Sequence, residues 1–213
     1  MRAVIFDLGG VVLPSPLDAF AEYESTHGLP GGFISGVVIG TGDAGAWSRH
    51  ERGELSFEQF CDEFDAEARS AGGEVDVAEL LDAITRGSEP RPTYLRAIDR
   101  IRAAGLGTAA LTNNWAGPDR AASSDPTADA LNALADRFDV VVESAVVGLR
   151  KPDPAIYELV CSRLDVSPGE AVFLDDLGPN LKPARALGMH TIKVSDPAAA
   201  LAELADVLAL DLD

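Results

Sequence analysis

The 213 residues carry 35 acidic side chains against 17 basic ones, a formal net charge of −18, with 46% hydrophobic and 24% charged residues. That length suits one core, or one core with a smaller inserted module, and the balance is that of a globular chain rather than a disordered or fibrous one. A field of this sign disfavours nucleic acid and anionic membrane as partners, whereas a small anionic substrate needs only a locally positive pocket.

No charged N-terminal region leads into an apolar stretch, and no run approaches the roughly eighteen residues of a membrane span. A cytoplasmic protein without membrane contact is the expectation. Cys61 and Cys161 sit in amphipathic patterns without Cys-x-x-Cys spacing, which predicts buried, reduced thiols and no disulfide framework. Nothing in the sequence sets the oligomeric state.

Along the chain, nearly uninterrupted apolar runs occur at Ala3 to Phe6, Thr108 to Leu111, Val140 to Val142, Ala171 to Leu174 and Thr191 to Val194. Short apolar runs of this kind predict strands buried on both faces, as in a parallel sheet. Helical stripes fill the later intervals: Tyr94, Leu95, Ile98 and Ile101; Leu131, Leu134, Ala135 and Phe138; Ile156, Leu159 and Val160. Strand followed by helix, repeated, predicts a Rossmann-like α/β fold with right-handed crossovers.

From about Pro16 to Ser88 that rhythm stops. Phe57, Phe60, Cys61 and Phe64 share one helical face, opened by a Ser56 and Gln59 capping box. Gly31, Gly32 and the stretch from Gly36 to Gly45 read as loops. The sequence therefore predicts an α/β core of residues 1–15 and 89–213, with a small helical cap, 16–88, inserted after the first strand. Ala198 to Leu210 reads as a terminal helix.

In parallel sheets ligands bind beyond the carboxyl ends of the strands. The residues predicted there are Asp7 with Gly9 and Gly10, then Thr112, Asn113 and Asn114, then Lys151 in Lys-Pro-Asp-Pro, then Asp175 and Asp176. Three carboxylates at one end of a sheet repel one another unless a divalent cation sits between them. Mg²⁺ takes one or two carboxylates, waters and a substrate phosphate, which suits Asp7, one or both of Asp175 and Asp176, and a main-chain carbonyl of the turn. Thr112 and Asn113 offer donors for phosphate oxygens, and Lys151 a rigidly held ammonium. Read singly, the acidic pair could merely cap the helix near Pro179, and Thr-Asn-Asn could be an ordinary turn.

The ordered set resembles the haloacid dehalogenase (HAD) superfamily of hydrolases. It is carried by Phe6-Asp7-Leu8-Gly9-Gly10-Val11, Leu111-Thr112-Asn113-Asn114-Trp115, Gly148-Leu149-Arg150-Lys151-Pro152-Asp153-Pro154 and Phe173-Leu174-Asp175-Asp176-Leu177-Gly178-Pro179-Asn180. The resemblance implies that Asp7 attacks phosphorus to form an aspartyl-phosphate, with Lys151 stabilising charge and Thr112 and Asn113 holding the phosphoryl group. It further implies Mg²⁺ held by Asp7, the Gly9 carbonyl, Asp175 and Asp176, and a small phosphorylated metabolite as substrate.

One position departs from the pattern. Phosphatases of this kind usually carry a second Asp two residues after the nucleophile, and here that position is Gly9. A positioned acid or base contributes about 10²- to 10⁴-fold, so esters with poor leaving groups should turn over slowly unless another residue serves. His27 and His50, in the expected cap, are the candidates; His190 is expected at the opposite end of the sheet. The alternatives are a phospho-ligand-binding protein with weak or no turnover, and a 2-haloacid dehalogenase in which Asp7 attacks carbon without a metal.

Overall fold

The computed structural model describes residues 1–114 and 134–212. Trp115 and Leu131 of the sequence patterns lie outside these residues. Five parallel strands, β1 (Ala3–Phe6), β2 (Gly107–Thr112), β3 (Val140–Glu143), β4 (Ala171–Asp175) and β5 (His190–Lys193), form one sheet in the order β3-β2-β1-β4-β5. β1 lies at its centre, with Phe6 opposite Ala110 of β2 and Leu174 of β4. The chain thus has the predicted Rossmann-like α/β architecture.

Alternation along the strands divides the core into two layers, because successive side chains point to opposite faces. Val4, Phe6, Val172 and Leu174 pack on one face with Tyr94, Ile98 and Ile101 of α6 (Pro92–Ala103) and Leu204 of the terminal helix (Pro197–Leu208). Ile5, Leu111 and Phe173 pack on the other with Ile156, Tyr157 and Val160 of the helix Pro154–Arg163 and Leu181 of the helix Gly178–Ala186. Each side chain of β1 is fully buried. The apolar runs that predicted strands are those that need two covered faces.

Between β1 and α6 lie five α-helices: α1 (Pro16–His27), α2 (Phe33–Thr41), α3 (Ala46–Glu51), α4 (Phe57–Ser70) and α5 (Val77–Arg86). They enclose their own apolar cluster, in which Trp47, Phe60, Phe64 and Leu80 are buried. The Ser56 and Gln59 capping box is present at the start of α4. α2 overturns one expectation, since Gly36 and Gly40 lie inside a helix rather than a loop. Two forces outweigh the low helix propensity of glycine. Ile34 and Val37 are buried in the cluster, and the Glu24 carboxylate accepts the N–H groups of Gly32 (2.7 Å) and Ile34 (2.8 Å) at the helix start.

The outgoing and returning segments run side by side: Arg91 donates its N–H to the Val12 carbonyl (2.8 Å) and its Nε to that of Val11 (3.2 Å). A second contact joins Gly53, just after α3, to α7 (Ser144–Val147). A β-carbon at Gly53 would stand 2.5 Å from the Ala145 carbonyl, and its φ of +71° is a glycine conformation. Among the described residues no helix is long and apolar enough to cross a membrane. Cys161 is buried and Cys61 partly exposed, both as free thiols.

Candidate active site

The predicted residues collect at the carboxyl end of the sheet. Asp7 follows β1, Thr112 ends β2 and Asp175 ends β4. After β1 the chain turns tightly over Leu8–Val12, closed by the Leu13 N–H on the Leu8 carbonyl (2.8 Å). Gly10 adopts φ +75°, and a β-carbon there would stand 2.2 Å from Asp176 Oδ2. Only glycine lets the Asp176 carboxylate approach this closely. Asp176 also accepts from Ser15 Oγ (3.3 Å), the residue that caps α1.

Lys151 is buried, with its Nζ 2.8 Å from both Asp7 Oδ1 and Asp175 Oδ2. The Leu8 N–H also reaches Asp7 Oδ1, at 2.7 Å. Asp175 is fully buried, and both of its oxygens accept hydrogen bonds. Its Oδ1 accepts from Leu177 N–H (2.8 Å), and Asn180 Nδ2 lies 3.1 Å from both of its oxygens. Tyr157 in turn donates to the Asn180 carbonyl (2.7 Å). Asp175 thus anchors Lys151, and Asp176 is the less enclosed member of the pair.

Suitable oxygens of Asp7, Asp175 and Asp176 lie within 4.8 Å of one another. One ammonium faces three carboxylates, an excess of negative charge that a hard cation would offset. The strain is visible in Asp7, whose carboxyl is pushed well above the usual range by burial and by Asp175 and Asp176, against the pull of Lys151. Burial and Asp175 likewise raise Asp176. For Lys151, burial disfavours the ammonium, but Asp175 and Asp7 outweigh it and raise its pKa. The donor set fits Mg²⁺ better than a softer metal, because it is all oxygen.

Asn113 serves differently from its expected use as a phosphate donor. Its Oδ1 accepts the Lys151 N–H (2.8 Å) and its Nδ2 donates to the Lys151 carbonyl (3.0 Å). The side chain therefore holds the lysine main chain. Thr112 Oγ1 lies 3.5 Å from the Asn113 carbonyl, at the limit of hydrogen bonding. Ser144 closes the next turn, accepting the Asn114 N–H (3.0 Å) and donating to the Asn114 carbonyl (3.1 Å).

The histidines are elsewhere. His27 stacks on Tyr23 and meets Glu79 at 3.3 Å, while His50 is buried against Phe60 and bonds the Leu55 carbonyl (3.2 Å). These contacts all lie among α1 to α5. His190 opens β5, at the end of the sheet opposite the carboxylates. Sequence reasoning gave no part to Ser15, Asn180 or Glu51. Asn180 stood only as a letter in the last motif, and Ser15 and Glu51 stood in none.

Residues 1–188 match the haloacid dehalogenase-like hydrolase family. The chain belongs to that family. It is 42% identical over 214 residues to acyl-CoA dehydrogenase family member 10 of Mus musculus, covering 99% of this chain and 19% of that protein. It is 35% identical over 221 residues to bifunctional epoxide hydrolase 2 of Sus scrofa, covering 100% of this chain and 40% of that one. The HAD-like chain thus spans well under half the length of these relatives. A solved HAD family enzyme of Bacteroides thetaiotaomicron, in complex with magnesium and inorganic phosphate, superposes with a TM-score of 0.61 over 91% of this chain and 93% of that one. At 17% identity, that likeness concerns the fold.

Proposed function

We propose that this HAD-like hydrolase is a Mg²⁺-dependent phosphatase of small phosphorylated metabolites that works through an aspartyl-phosphate on Asp7. The observation that carries the reading is the Asp7 carboxylate, held through Oδ1 by Lys151 and the Leu8 N–H within 4.8 Å of two further carboxylates. Oδ2, which takes neither of those bonds, is the attacking oxygen. A new oxygen–phosphorus bond forms there as the ester bond breaks, and the leaving oxygen departs with the electron pair. Water then attacks the phosphorus as the bond to Asp7 breaks, so that the carboxylate is restored and inorganic phosphate leaves carrying the water's oxygen and protons.

Asp7, Asp176 and the Gly9 carbonyl would hold Mg²⁺, with Asp175 beside them. The bound ion would orient the phosphate and neutralise its charge. Lys151 supplies the fixed positive charge, Thr112 a hydroxyl donor, and Asn113 its main chain, since its amide is engaged with Lys151. Phosphoryl transfer asks mainly for such positioning and electrostatics. The magnesium and phosphate bound by the Bacteroides enzyme accord with this reading.

Gly9 offers no proton to the leaving group, so substrates whose leaving group departs as a stable anion, such as acyl, anomeric or aryl phosphates, are favoured. Residues 16–88 act as the cap over the site. The acidic surface accords with a cytoplasmic enzyme acting on small molecules rather than nucleic acid. The test is a screen of sugar, acyl and aryl phosphates with and without chelator, alongside Asp7→Asn. Hydrolysis that survives both the chelator and the substitution rules the mechanism out.

A further inference from the structure

Glu51 ends α3 with its side chain only 10% exposed, and it faces the α/β core rather than solvent. Oε1 accepts from the Trp47 indole (3.0 Å) within the helical cluster. Oε2 accepts from Arg150 Nε (2.8 Å) and from a second nitrogen of the same guanidinium (2.7 Å). The same oxygen lies 3.4 Å from Asn113 Nδ2.

These two core partners flank the site. Arg150 precedes Lys151, and Asn113 follows Thr112. A primary amide has two donors and one accepting oxygen. In Asn113 the oxygen and one donor serve the Lys151 main chain, and the remaining donor points to Glu51. A carboxylate there accepts only, so it favours the amide orientation that Lys151 requires. The guanidinium clamp fixes the residue on the other side, and charge-assisted bonds of this kind are shorter and stronger than neutral ones.

We propose that Glu51 is a positioning residue for Lys151, acting from the helical segment through Asn113 and Arg150. It does not touch the reacting atoms. Its influence on rate, though not on the lysine's main chain, rests on the phosphatase reading above. Loss of the carboxylate frees one of the two Asn113 donors and leaves Arg150 with its exposed partner Asp43 (3.2 Å), and the ammonium between Asp7 and Asp175 is held less firmly.

The experiment follows amide hydrogen exchange by NMR in Glu51→Ala and Glu51→Gln, together with kcat and KM for an aryl phosphate in the presence of Mg²⁺. The expected result for Glu51→Ala is exchange of the Lys151 N–H faster by about tenfold or more, with kcat lower by about tenfold and KM little changed. Glu51→Gln keeps the shape but has one accepting oxygen for two sets of donors, so its losses should be intermediate. It also serves if the alanine variant fails to fold. Unchanged exchange at Lys151 in a folded variant overturns the proposal, as does a lower melting temperature with kcat intact. If the wild-type protein hydrolyses no phosphate ester, the phosphatase reading fails, and the exchange data still decide whether Glu51 positions Lys151.

Discussion

Pro16 Cδ lies 3.2 Å from where a β-carbon on Gly9 would stand, so the first residue of α1 occupies the space beside the position at which related phosphatases carry a second Asp. The backbone itself is permissive, since Gly9 has φ −63° and ψ 130°. Gly9→Asp should therefore fold, with the proline ring displaced by a few tenths of an ångström. Its gain on an alkyl phosphate should fall short of the roughly 10²- to 10⁴-fold that a placed acid supplies. Gly9→Asp combined with Pro16→Ala should gain more. Equal gains on alkyl and aryl phosphates, measured as kcat/KM, would count against a missing proton donor.

Lys151 bridges two carboxylates, Asp7 and Asp175, in a buried space. Replacing it with methionine leaves Asp7 and Asp175 without their shared cation, and removing one member of a buried ion pair costs about 3–5 kcal/mol. Urea unfolding in chelator should show a loss of that order. Lys151→Met with Asp175→Asn removes both charges of one pair and should be less destabilised than the lysine variant alone. If instead the two losses simply add, the ion pair is not what holds this part of the core.

The strand ends were legible because burial on both faces demands apolar runs, and a polar residue at the end of such a run has few reasons to be there. Asp7, Thr112 and Asp175 all stood out in this way. Partners contributed by distant segments did not. Ser15 meets Asp176 across 161 residues and Arg150 meets Glu51 across 99, and a residue's own neighbours carry no trace of such contacts. Asn113 was found for its donors, but their direction depends on where the Lys151 loop passes. α2 was hidden because its glycines suggest a loop, while the forces that make it a helix, the burial of Ile34 and the Glu24 carboxylate, are tertiary.

Asp7 and Asp176 are both raised, chiefly by burial, and this gives the metal-free protein a definite pH dependence. A carboxyl raised on folding contributes stability that is full below its unfolded value, near 3.9, and lost as pH rises through the folded value. In chelator, these two groups should stabilise the fold increasingly as pH falls through their raised folded values. Mg²⁺ needs them ionised, so its stabilisation should grow in the other direction. At a hundred times its Kd it adds about 2.7 kcal/mol. Melting curves with and without Mg²⁺ at about pH 5 and about pH 8 should show the larger magnesium shift at the higher pH. Asp176→Asn should shrink that shift, and a shift independent of pH would exclude these carboxylates as the ligands.

His50 predicts the opposite slope for the helical segment. It is 2% exposed, stacked on Phe60 with ring centroids 4.2 Å apart, and its buried Nε2 has no hydrogen-bond partner among the described residues. Burial lowers its pKa, against the supporting bond to the Leu55 carbonyl. A neutral ring can donate from Nδ1 to that carbonyl, whereas protonating Nε2 would bury a charged donor with nothing to receive it. A histidine depressed on folding contributes stability that is present above its unfolded value, about 6.5, and lost as pH falls through the lower folded one. His50→Gln keeps a neutral donor for the Leu55 carbonyl and removes the titration. Denaturant midpoints measured from about pH 7.5 down to about pH 5 should fall more steeply for the wild-type protein than for this variant, with His27 and His190 common to both. Parallel curves would mean that His50 is protonated in the fold, and that the packing around Nε2 opens to accommodate it.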